Sequence, residues 1–91
     1  MIGFGYREDY DKKNRFVKQE HVSYKDKDYF ISTVDLGIDH GYGNFTGVYW
    51  ETMVFPKGEW LDLHCERYTS REDALKGHDR IKAELLEGKI V

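Results

Sequence analysis

The sequence predicts a small α+β domain, an antiparallel sheet of three to four strands with one C-terminal helix packed on one face. Three observations predict it. First, Asn44 to Phe55 and Trp60 to Thr69 are aromatic-rich runs joined at Pro56-Lys57-Gly58. Proline presets φ and glycine supplies a positive one, so this pairing reverses a chain within a few residues. Second, Tyr29 to Ile38 alternates with period two, as a strand between two environments does. Third, Ser70 followed by Glu72 and Asp73 opens a stretch in which Ala74, His78, Ile81 and Leu85 recur at helical spacing.

Taken in order, residues 1–14 show neither a strand nor a helix period and read as an N-terminal arm or loop. Residues 15–69 hold the sheet and residues 70–88 the helix. Phe16 to Tyr24 mixes β-branched and aromatic residues with Lys18, Gln19 and Glu20, which suits an edge strand whose charges discourage pairing with strangers. Lys25 to Asp28 reads as a turn. In Tyr29 to Ile38, Phe30, Val34, Leu36 and Ile38 share one face, and Tyr29, Ile31, Thr33 and Asp35 the other. The following Asp39-His40-Gly41-Tyr42 stretch is glycine-rich and conformationally permissive, which makes it the loop expected to touch a ligand.

The next strand carries Phe45, Tyr49, Met53 and Phe55 on one side and Val48, Trp50 and Val54 on the other, so it belongs in the centre of the sheet. In Trp60 to Thr69, Leu61, Leu63 and Cys65 alternate with Asp62, His64 and Glu66. The Leu61 face is therefore expected to be core, under a helix running from Arg71 to Glu87 and stopped by Gly88. Gly77 interrupts that helix at a cost of about 1 kcal/mol relative to alanine. It implies either close approach to the sheet or contact with a ligand or partner.

A chain of 91 residues with 15% aromatic and 34% charged residues suits one folded domain. The net charge of -3 argues against nonspecific nucleic-acid binding, which depends on cations neutralising phosphates. Cys65 is the single cysteine, so no intrachain disulfide forms. No apolar run reaches membrane length and the N-terminus lacks the apolar core of a signal peptide, so a cytoplasmic location away from membranes is expected.

Chemistry-bearing residues are sparse, and no cofactor is expected. The four histidines include His64, which shares a strand face with Asp62 and Glu66 and could hold a metal, although the spacing matches no metalloenzyme signature. His78 falls within the apolar helical stripe and is expected to bridge helix and sheet. No nucleophile has a placed base. The aromatic excess is the more informative feature: Tyr42, Tyr49, Trp50, Trp60 and Tyr68 cannot all pack against one short helix, so another chain, the arm or a planar ligand must cover some of them. The expected ligand- or partner-binding set is Asp39, His40, Tyr42, Tyr49, Trp50, Trp60 and His78. A homodimer through the Trp50 face is the expected association, with the arm as the competing cover.

At Trp50-Glu51-Thr52-Met53-Val54-Phe55, Glu66-Arg67-Tyr68-Thr69-Ser70, Ala74 and Gly77-His78, the chain resembles short uncharacterised proteins of bacteriophages and prophages. The resemblance covers roughly the last two thirds and brings no activity with it. It implies a noncatalytic accessory protein of the host cytoplasm, such as an inhibitor of antiviral defence that binds a host protein or sequesters a small signalling molecule. A small metal-dependent hydrolase using His64 with Asp62 or Glu66 is one alternative. A structural or assembly accessory of the virion is another.

Overall fold

The computed structural model describes residues 6–38 and 47–91. Its elements are a 3-10 turn at Lys12–Asn14, strands β1 (Phe16–Tyr24), β2 (Lys27–Asp35), β3 (Trp50–Pro56) and β4 (His64–Tyr68), and helix α1 (Arg71–Leu86). The strands form one four-stranded sheet in the order β1-β2-β3-β4, each neighbour antiparallel to the next. This is the α+β arrangement expected from the sequence, with β1 at an edge.

Local chemistry explains most boundaries. The predicted turn narrows to Lys25 and Asp26, both at positive φ (50° and 65°), between the paired residues Tyr24 and Lys27. Two successive left-handed residues make the turn whose twist suits a two-residue hairpin. Ser70 caps α1 by accepting a hydrogen bond from the Asp73 N–H at 3.0 Å. Gly88, at φ +75°, ends the helix: its N–H reaches the Leu85 carbonyl, while the Lys89 N–H reaches that of Glu84.

Beneath α1 lies a core of Val22, Tyr29, Ile31, Val54, Ile81 and Leu85. It corrects the sequence reading of which face is buried. Leu61 and Leu63 are 81% and 44% exposed, Cys65 is also exposed, and the last strand begins only at His64. The β3–β4 register explains the inversion. Trp50 pairs with Tyr68, Thr52 with Glu66 and Val54 with His64, so these six residues share one face, and that face meets the helix. Strand parity divides side chains into two sets without saying which set the helix will cover.

Gly77 sits where the helix crosses this face. A Cβ there would collide with the Tyr68 ring and hydroxyl, so glycine lets α1 settle directly onto the phenol. Close approach is thus the reason for glycine in mid-helix.

Candidate binding surface

The buried face holds the most ordered polar chemistry. Thr33 and Thr52 are adjacent on β2 and β3, and their hydroxyl oxygens lie 2.5 Å apart. His78 Nδ1 is 2.7 Å from Thr33 Oγ1, while its Nε2 is 2.9 Å from Glu20 Oε1 on β1. Lys82 donates to the other Glu20 oxygen at 2.8 Å, and Lys18 reaches Asp79 at 2.7 Å.

The proton positions follow from the charges. The Lys82 ammonium holds the Glu20 carboxyl below its usual range against the opposing effect of desolvation. Ionised Glu20 can only accept, so His78 Nε2 carries the proton. Desolvation pushes the His78 imidazole below its ordinary value, and the pull of Glu20 does not restore it. Neutral His78 then accepts from the Thr33 hydroxyl at Nδ1, and Thr33 accepts from Thr52.

Hydroxyl, imidazole and carboxylate stand in the order used by nucleophilic hydrolases. However, Thr33, Thr52 and His78 are each 0% exposed, so a substrate has no surface on which to meet them. The expected bridging role of His78 is what the structure displays. As a contact for a ligand or partner, His78 is out of reach in this state.

Trp50 is likewise only 9% exposed. The Arg7 guanidinium lies 4.4 Å from the centre of its ring and 4.9 Å from that of Tyr49, and forks onto Asp35 with contacts of 3.0 and 2.5 Å. Tyr6 and Tyr10 stack at 4.8 Å over Gly37, whose φ of +75° tucks the chain beneath them. The arm therefore covers Trp50, the competitor to a dimer through that face. Arg7 carried no signal in the sequence because, apart from Asp9, its partners Asp35, Tyr49 and Trp50 lie far along the chain.

The metal reading finds only part of its constellation. His64 Nε2 is 2.8 Å from Glu66 Oε2, whereas Asp62 precedes the strand and is exposed. Arg80 contacts the other Glu66 oxygen. Desolvation pushes Glu66 up, but His64 and Arg80 together outweigh it and hold the carboxyl below its usual value. Among the described residues, no group of three or more His, Cys, Asp or Glu side chains is placed to hold a metal ion. Partial desolvation and the neighbouring Glu51 carboxylate push the exposed Cys65 thiol up to about 11, which keeps it protonated and weakly nucleophilic at neutral pH.

The opposite face of the sheet is different in kind. Phe30 pairs with Phe55 across β2 and β3, and Met53 with Cys65 across β3 and β4. The His21 and Phe30 rings lie 4.8 Å apart. At one end, His21, Phe30, Phe55 and Pro56 line a pocket of about 300 Å³. Trp60 stands on its rim, 94% exposed, on the segment after the Gly58 turn.

Of the predicted binding residues that the structure describes, Trp60 lines this pocket, Tyr49 and Trp50 lie against Arg7, and His78 is buried. Asp39, His40 and Tyr42 lie outside the described residues. Sequence reasoning missed His21, Phe30 and Phe55 as pocket residues, and Glu20, Thr33 and Thr52 as partners of His78. Period two could have placed Thr33 beside Ile31, and Thr52 beside Val54, on one face; the pairing across strands was not visible. Among the described residues, no helix is long and apolar enough to cross a membrane. Compared with known proteins, the chain matches no family model, no curated protein and no solved structure.

Proposed function

We propose that this chain is a noncatalytic binding protein, of the phage accessory type that its sequence resembles, acting by contact with a host protein. The observation that carries the reading is the split between the two faces of the sheet. The residues arranged for proton transfer are closed off, and solvent meets an aromatic pocket with a bare tryptophan on its rim. Exposed aromatic anchors beside a pocket suit recognition, since a few such side chains carry most of the energy of an interface. Inhibition of host antiviral defence, in the host cytoplasm, is the role consistent with the resemblance.

Tagged protein expressed in a bacterial host and purified with mass spectrometry of bound proteins and small molecules tests this directly. A host protein enriched with the tagged wild type over an untagged control is the expected result. Metal analysis of protein prepared without chelator is the contrary test. A stoichiometric zinc or transition metal, retained by the wild type and lost from His64→Ala, would replace binding with the metal-dependent hydrolase. Copurification with virus particles, in place of a host protein, would turn the reading toward a virion accessory.

A further inference from the structure

The open face carries both a projection and a recess. Trp60 is 94% exposed and its neighbour Leu61 81%, while the pocket beside them is lined by the rings of His21, Phe30 and Phe55. In a two-fold interface the same patch serves both copies, so a residue that enters the partner's pocket receives the equivalent residue in its own. We propose that this face binds a second copy of the chain, the Trp60 indole of each copy entering the pocket of the other.

Three features favour a second copy as the occupant. A pocket of about 300 Å³ with an apolar lining is roomy enough for an indole, and the indole is supplied from its own rim. Lys57 and Glu59 bring opposite charges to that rim, so a two-fold placement can set Lys57 of one copy beside Glu59 of the other. The area is also in range. An aromatic side chain buries about 150–250 Å². Trp60 alone thus supplies on the order of a quarter of the roughly 800 Å² each partner gives a standard interface. The rings of His21, Phe30 and Phe55, with Pro56, extend the same surface. This places the association on the face opposite the one expected from the sequence, where Arg7 covers Trp50.

The inference rests on reading the open face as a binding surface, and it names the occupant. Sedimentation equilibrium across a dilution series tests it with wild type, Trp60→Ala and His21→Glu. His21 is exposed, so the glutamate places a charge in the pocket with little effect on folding, which circular dichroism checks. The wild type should form a dimer that dissociates on dilution. Each variant should weaken it at least about thirtyfold, the scale of an interface hot spot.

Mixing the two variants gives the sharper result. Trp60→Ala keeps the His21, Phe30 and Phe55 rings of the pocket, losing only the wall that Trp60 itself gives, and His21→Glu keeps an intact indole, so a mixed dimer regains one of its two contacts and should associate more tightly than either variant alone. Failure of the mixture to recover, or a wild type monomeric at every concentration, would overturn the proposal. A monomer that captures a host protein through Trp60 would overturn the dimer and preserve the binding reading. A monomer in which Trp60→Ala changes neither self-association nor capture would sink both.

Discussion

The two faces of this sheet differ in what they do with polar and aromatic groups: the covered face takes a hydroxyl and imidazole cluster into its apolar core, and the open face leaves aromatic rings toward solvent. Under the helix lie Thr33, Thr52 and His78, fully buried and joined to Glu20. On the open side lie His21, Phe30, Phe55 and Trp60. The difference teaches that mutual hydrogen bonding lets Thr33, Thr52 and His78 join the core, although the same face also buries Trp50 Nε1 and the Tyr68 hydroxyl without a partner. A hydroxyl loses little on burial when its partners are already placed, whereas an orphaned one costs roughly 1–3 kcal/mol.

Truncation inside the covered face should have the largest effect. Leu85→Ala, at a fully buried position, should cost about 2–5 kcal/mol in urea unfolding, whereas Leu63→Ala should stay within roughly 1 kcal/mol. Equal losses would mean that Leu63 is packed as tightly as the core.

Gly77→Ala probes the contact that seats the helix. Alanine should gain up to about 1 kcal/mol of helix propensity but force the Tyr68 ring aside, and such overpacking costs about 1–3 kcal/mol. A net loss is expected in the wild type and a gain in a Tyr68→Ala background. The same sign in both would mean that the phenol does not seat the helix.

Protonation offers a smaller handle. His78 is held neutral in the fold by desolvation, so the unfolded chain takes up its proton more readily. The stability this confers is complete above the imidazole's ordinary value of 6.5 and falls as the pH drops below it. Glu20, whose carboxyl is held below 4.5, adds a loss of the same sign at lower pH. Unfolding midpoints measured from about pH 7.5 to 5.5 should therefore decline, with a shallower slope in His78→Gln. An identical slope would mean that the imidazole is not held neutral.

The smallest effect on stability belongs to the most exposed aromatic. Trp60→Ala should change the unfolding free energy by no more than about 0.5 kcal/mol when measured at concentrations low enough that the chain does not self-associate. A larger loss would show that Trp60 packs within its own chain and would blur the contrast between the faces.

Much of the architecture was legible from local chemistry. Period two marked the strands, Ser70 and Gly88 marked the ends of the helix, and the charged run in Phe16 to Tyr24 marked an edge. Gly77 announced an unusual contact because glycine is unfavourable in mid-helix. The partners of His78 were less legible, because each stands on a different strand and no short spacing joins Glu20, Thr33 and Thr52.

By itself, the sequence determined the kinds of element, their order and the division of each strand into two sets of side chains, since propensity, capping and alternation act over a few residues. Only the tertiary structure decided which set the helix covers. Leu61 and Leu63 made one face of the last strand look buried, yet the pairing of Trp50 with Tyr68 and the fit of Tyr68 beneath Gly77 placed the helix on the other. Packing joins residues distant along the chain, and alternation within one strand cannot specify which of its two faces will find a partner.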